Sequence, residues 1–234
     1  MSRLKSAPTR LQAGFSLVEI SFVMVIIGLL MGIFIGPLQS QSENQKRAET
    51  RRLLQEAQEA LIGFAASNNG RLPRPAADVN GVERAGNCSA TDCYGFLPWA
   101  TLGITGTDGF SYVLRYKVYS DFANTSVKYL NTPTLRISTA PAAAANIDNA
   151  AFVLIATAKR NGGISKNSTP SSDACTPNAD EQANLTGDNA QSAFSHNLQD
   201  DTNLAGGCFD DIVTWVANAT LYSRLATQGI FLNN

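Results

Sequence analysis

Gly14-Phe15-Ser16-Leu17-Val18-Glu19-Ile20 is the stretch on which the reading of this chain turns. Before it stands a polar leader with Arg3, Lys5 and Arg10 and no acid; after it an apolar run extends from Ile20 to about Leu38, interrupted by one polar side chain, Ser21. Roughly 20 apolar residues, at about 1.5 Å each, span a bilayer as a helix. The basic leader is expected to stay cytoplasmic while the rest crosses. A secretory signal peptide would have a shorter apolar core and a small-residue cleavage site after it, whereas Gln39-Ser40-Gln41-Ser42-Glu43 follows here. A plain membrane anchor accounts for the hydrophobicity but leaves Glu19 unexplained, because a carboxylate in an apolar segment costs about 3 kcal/mol and calls for a partner.

Glycine, aromatic residue, glutamate and apolar run stand here in the order of the class III signal, and the segment resembles the N-terminus of type IV pilins and type II secretion pseudopilins. The resemblance implies cleavage between Gly14 and Phe15 by a membrane prepilin peptidase, which also methylates the new amino group of Phe15. It implies that Glu19 is the assembly residue, paired with the N-terminal ammonium of a neighbouring subunit. Two charges that are each costly in an apolar filament core become tolerable as a pair, and the pair can fix the register between subunits. Gly36-Pro37 is an expected kink. Gly28, Gly32 and Gly36, four apart, allow close helix approach.

Helical spacing continues beyond the apolar run: Ala48, Leu53, Leu54, Ala57, Ala60, Leu61, Phe64 and Ala65 recur on one face between Glu43 and Ala66. Asn68-Asn69-Gly70 offers a C-terminal cap and Pro73 follows. One helix of about 50 residues, roughly 80 Å long, is therefore expected from Phe15 to Ser67. Gly70-Arg71-Leu72-Pro73-Arg74-Pro75-Ala76 resembles the post-helix segment of many pilin-like proteins, with Arg71 and Arg74 expected to face the helix C-terminus. Gly95–Gly103 reads as an apolar loop, and Phe110–Tyr119 alternates as a half-buried strand with Arg115 and Lys117 outward. Leu135–Thr139, Ala151–Ala158 and Ile212–Val216 are further strands, and Asn218 is expected to cap a helix from Ala219 to about Gln228. The fold class is α+β: a long N-terminal helix, apolar in its first half and amphipathic in its second, on an antiparallel β-sheet head. The expected parts are a leader at 1–14, the membrane and filament-core helix at 15–69, and a head at 70–234 with a long polar loop at 161–207.

Hydrophobic residues make up 44 % and charged residues 16 % of 234. Loss of the leader leaves 15 basic against 19 acidic side chains, a net charge near −4. No dense basic run interleaved with aromatics appears, so nucleic acid is not an expected partner. Cys88, Cys93, Cys175 and Cys208 form an even set that suits disulfides in an exported domain. Four cysteines allow three pairings, and the sequence does not choose; the closeness of Cys88 to Cys93 favours that pair together with Cys175–Cys208. Zinc is the weaker reading, since the spacing is not C-x-x-C and the single histidine, His196, lacks a ligand-like partner.

No phosphate-binding loop, dinucleotide fingerprint, zinc-protease motif or nucleophile elbow is present, so no enzyme is expected. No cofactor is expected, apart from calcium by analogy with pseudopilins that hold one in a late loop. The candidates on that analogy are Asp200, Asp201, Asp210 and Asp211, although the pattern is not an EF-hand. The resemblance implies as partners the prepilin peptidase, other pilin or pseudopilin subunits, an inner-membrane assembly platform and membrane lipid. It implies a bacterial inner-membrane precursor with a periplasmic head, later part of a pilus or pseudopilus. The alternative is a minor tip subunit whose 161–207 region binds a surface, a secreted protein or DNA.

Overall fold

The computed structural model describes residues 14–89, 93–128, 132–138, 146–160, 162–172, 175–187, 192–195 and 207–230, without the side chains of 31–39, 146 and 192. The leader up to residue 13, His196, Asp200 and Asp201 lie outside the described residues, and of Gly32, Gly36 and Pro37 only the backbone is described. Helix α1 (Leu17–Ser67) opens the described chain. The chain divides into two compact units, Met1–Asn44 and Gln45–Asn234, so the division falls within α1.

In the first unit, residues 14–30 are exposed throughout, among them Phe15, Leu17, Phe22, Met24 and Leu29. Among the described residues no helix is long and apolar enough to cross a membrane. The described apolar side chains end at Leu30, and the expected continuation to Leu38 lies outside them.

In the second unit the chain is an α+β domain. The elements after α1 are β1 (Tyr94–Phe96), α2 (Trp99–Leu102), β2 (Arg115–Val118), α3 (Ser120–Asn124), β3 (Leu135–Ser138), β4 (Asn146–Ala156), α4 (Ala179–Thr186), β5 (Ser192–Phe194), β6 (Ile212–Ala217) and α5 (Asn218–Thr227). The sheet runs β1-β2-β4-β3-β5, with β6 paired to β4. Among the named strands the pairings are antiparallel except that of β3 with β5.

Strand β4 is apolar without interruption from Ala150 to Ala156 because both of its faces are covered. Phe152, Leu154 and Ala156 join Leu54, Leu61 and Ala65 of α1 and Leu221 of α5 in one core. Val153 and Ile155 face a second core with Leu135, Ile137 and Ala193. The buried stripe of α1 within this unit is Arg47, Thr50, Leu54, Ala57, Leu61 and Ala65, a three-four spacing, with Ile62 buried beside it. Two of its members are polar, and Ala48, read as apolar face, is exposed. Thr50 holds its place by contact: its hydroxyl donates to the Lys46 carbonyl at 2.8 Å and accepts from the Gly109 amide at 3.0 Å. A Cβ on Gly109 would stand 2.2 Å from the Lys46 carbonyl oxygen, so the turn approaches this closely only as glycine.

Helix α1 ends as its cap residues specify. Asn69 takes a left-handed φ of 54°, and the Gly70 amide reaches back to the Ala65 carbonyl at 2.7 Å. Arg71 lies over the Phe64 ring in the last turn of α1, at 5.3 Å, and is shared with a partner outside the helix. Arg71 and Arg74 both converge on Glu83, Arg71 at 2.5 Å and Arg74 at 3.1 Å, and the Arg74 amide also donates to Glu83 at 3.0 Å. The ion pair with Glu83 has backbone support from the Arg74 amide.

Four further readings are corrected. The strand expected over Phe110–Tyr119 is regular only over Arg115–Val118. The Asp108 carboxylate captures the amides of Phe110 and Tyr112, both at 2.9 Å, and Ser111 turns to φ 73°. Lys117, expected outward, is buried beside the Tyr94 ring. The polar stretch 161–207 includes α4 and β5 rather than loop alone. Ala217, not Asn218, is the N-cap of α5, and Asn218 is buried in its first turn.

Candidate functional site

Two places gather the candidate residues, one in each unit. In the first, Gly14 and Phe15 lie in exposed non-helical backbone before α1. Among the described residues nothing would obstruct a Cβ at Gly14, so their packing gives no reason for glycine there. Ser16 accepts from the Val18 amide at 3.4 Å and the Ile20 amide bonds the Ser16 carbonyl at 3.2 Å, which makes Ser16 the cap of α1. Glu19 falls at the third helical position, exposed, where the helix dipole favours a carboxylate. Ser21 turns its hydroxyl back onto the Val18 carbonyl at 2.7 Å, which satisfies the one polar side chain of the apolar run locally.

In the second unit Asp210 and Asp211 stand at the entrance to β6 and are joined by Glu181 of α4. Each of the three offers a carboxylate oxygen within 4.8 Å of the others, and all three residues are buried. Local chemistry explains the placement. Cys175 is disulfide-bonded to Cys208, and the Asn178 and Cys208 amides donate to the Cys208 and Thr176 carbonyls at 3.0 and 2.9 Å. This lashes the start of α4 to the approach of β6. The Asn178 side chain caps α4 by accepting from the Glu181 amide at 2.8 Å. Asn184, one turn on, donates to Asp211 at 2.9 Å and exchanges two hydrogen bonds of 2.8 Å with the backbone of Phe194. The other disulfide joins Cys88 to Cys93.

Electrostatics at this end of the sheet are perturbed in one direction. Burial pushes Asp211 well above the usual carboxylate range, and Glu181 and Asp210 push it further, against Asn184 and Arg115. Burial raises Asp210 to about 6, although the Arg160 and Lys159 amides, Arg47 and the Arg160 side chain oppose it. Asp108 is raised to about 7, first by burial and then by Asp210, against the amides of Tyr112 and Phe110. The basic groups nearby therefore fall short of compensating the buried acids.

Of the four aspartates named from the sequence, Asp210 and Asp211 meet in this cluster, and Asp200 and Asp201 lie outside the described residues. Glu181 is a member that the sequence reading misses. Its signal is there: Asn178 three residues before Glu181 is a helix-start pattern, and Gly187 closes the helix at φ 70°.

Residues 9–35 match the family model described as the prokaryotic N-terminal methylation motif, a match that covers the signal and not the head. No curated protein and no solved structure matches the chain. The match brackets Gly14, Phe15 and Glu19 and ends within the expected apolar run. The chain therefore carries the class III signal of a prepilin peptidase substrate, consistent with a type IV pilin-like protein or pseudopilin.

Proposed function

We propose that the chain is a structural subunit of a type IV pilus or a type II secretion pseudopilus, and that its work is assembly rather than catalysis. The prepilin peptidase cuts between Gly14 and Phe15 and methylates the Phe15 amine. Before assembly the precursor sits in the bacterial inner membrane with its head in the periplasm. After assembly the apolar part of α1 lies among the helices of other subunits, and Glu19 meets the N-terminal ammonium of one of them. The observation that carries this reading is the methylation-motif match over residues 9–35, on a helix start whose described apolar side chains are all exposed in the single chain. Such a surface needs lipid or protein to cover it.

The test is the mass of the N-terminal peptide of the mature protein from its native host. A peptide that begins at N-methylated Phe15 supports the reading. An intact leader, or a cut beyond the apolar run, removes its basis.

A further inference from the structure

Asparagine followed by glycine is a labile pair, because the backbone nitrogen after the asparagine attacks its side-chain carbonyl carbon and glycine offers no side chain to obstruct the approach. A hydrogen bond from that nitrogen opposes the attack, since its proton must leave. Gly70, after Asn69, donates to the Ala65 carbonyl at 2.7 Å. Gly109, after the buried Asp108, donates to the Thr50 hydroxyl at 3.0 Å. Gly81, after Asn80, reaches the Asp78 carbonyl only at 3.4 Å, outside the usual range of about 2.7–3.2 Å. Asn80 is exposed, and its backbone and side-chain amides both donate to the Asp78 carboxylate at 3.0 Å, which holds the side chain against its own turn.

The fold demands glycine at 81. Its φ is 68°, and a Cβ there would stand 2.2 Å from Nε1 of Trp99. Its carbonyl accepts the Ala100 and Thr101 amides at 2.9 and 3.3 Å, at the start of α2. The Thr101 hydroxyl accepts the Glu83 amide at 2.8 Å, and Glu83 holds Arg71 and Arg74 just after α1. The turn at Asn80 is thereby tied into the packing where α1 ends.

We propose that Asn80 is a site of spontaneous deamidation and isomerisation in the folded head. The Gly81 nitrogen gives its proton to solvent and bonds to Asn80 Cγ; the Cγ–Nδ2 bond breaks and ammonia leaves. Water then opens the succinimide. Attack at Cγ yields aspartate, and attack at the backbone carbonyl yields isoaspartate, whose chain runs through the side chain. No oxidant or reductant takes part. Either product sets a carboxylate beside Asp78 where a donor stood, and isoaspartate also lengthens the backbone by one carbon directly before Gly81. The change loosens the turn against Trp99 and marks the age of the chain. It does not depend on the filament reading, since the site is built wholly within the head.

The experiment ages the full chain in detergent at pH 8 and 37 °C. Peptide masses are mapped over time, isoaspartate is read by methyl transfer with a protein isoaspartate methyltransferase, and thermal unfolding is followed in parallel. The Asn80 peptide should gain the mass of the acid and accept methyl groups several-fold sooner than the Asn69 peptide, while Tm falls. Asn80→Ser, a change at an exposed side chain, should abolish the methyl acceptance at this peptide and the fall in Tm. An Asn80 peptide that stays an amide in the folded chain, while the same chain in urea converts, overturns the proposal, and so does an Asn69 peptide that keeps pace with it. An equal fall of Tm in aged wild type and aged Asn80→Ser overturns the loosening of the turn.

Discussion

Glu19 occupies a position that serves two purposes, and they make different demands on the side chain. As the third residue after the Ser16 cap it suits the helix start, where a neutral glutamine would serve nearly as well. As the partner of an ammonium in a filament core it needs its charge. Glu19→Gln is therefore the informative change: it should leave cleavage after Gly14 intact but exclude the subunit from filaments as thoroughly as Glu19→Ala, read by immunoblot of sheared filaments against whole cells. Normal incorporation of the glutamine variant would reduce Glu19 to a helix-start residue. Glu83 poses a similar question in the head. Burial alone would raise its pKa, but the Arg71 side chain, the Arg74 amide and the Arg74 side chain hold it below the usual carboxylate range. A depressed folded pKa contributes stability that is present above the unfolded value, near 4.3, and lost as pH falls through the folded one. Glu83→Gln should thus lower stability at pH 7 by about 1–2 kcal/mol, discounted for partial exposure, and have little effect near pH 3, as measured by urea titration at the two pH values.

At the scale of elements, what is legible in the sequence is what local rules decide. The end of α1 follows from Asn69 and Gly70, and the central place of β4 follows from its unbroken apolar run, which only a doubly covered strand needs. The misread elements are those where a distant side chain overrides local pattern. Asp108 takes amides that alternation would assign to a strand, and Thr50 enters the core stripe because the Gly109 amide meets its hydroxyl. Helix α4 is hidden in a polar stretch because its two buried residues are Glu181 and Asn184, and a buried polar face leaves no hydrophobic period to read. The candidate sites divide the same way. The processing signal is contiguous and readable, whereas the acid cluster joins residues on separate elements brought together by Cys175 and Cys208. Those contacts set two expectations. Leu61→Ala, at the centre of the helix–sheet core, should cost about 2–5 kcal/mol. Replacing Cys175 and Cys208 together by serine opens a loop closed across a separation of 33 residues, at a cost of about 3–4 kcal/mol by loop entropy. Equilibrium unfolding of the full chain in detergent measures both, and a disulfide effect below about 1 kcal/mol would mean that this loop is already ordered in the unfolded ensemble.

For the head taken whole, buried ionisable groups at one end of the sheet set an unusual dependence on pH. Asp108 and Asp210, raised to about 7 and about 6, bind protons more readily in the folded than in the unfolded chain. Unfolding then releases protons between about pH 4 and pH 7, so stability falls as pH rises across that window. Lys117 acts in the opposite sense at higher pH. Burial lowers it from 10.5 to about 8, so the folded state carries a disfavoured ammonium below that value, and stability recovers as pH rises from about 8 toward 10. Glu83 adds a loss at the acid end. Asp211, pushed well above the usual carboxylate range by burial, acts in the same direction as Asp108 and Asp210, so stability is predicted to be highest near pH 4–5 and to fall through pH 7, where most proteins have a plateau. A tenfold difference in proton affinity between the folded and unfolded chain is worth about 1.4 kcal/mol, so the swing is on the order of a few kcal/mol and several degrees in Tm. Thermal unfolding from pH 4 to pH 10 checks it. Asp108→Asn, which keeps the size of the side chain and removes its charge, should flatten the fall between pH 5 and pH 7. The fall should persist in Glu83→Gln, whose effect on the pH profile is confined to the acid end. A level Tm from pH 5 to pH 8 in the wild-type chain would mean that the acids are fully ionised and compensated in the fold, Asp210 by Arg47 and Arg160, which come to it from distant parts of the chain. The turn at Asp108 is held to α1 by the Thr50–Gly109 contact and by Lys46 over the Phe110 ring.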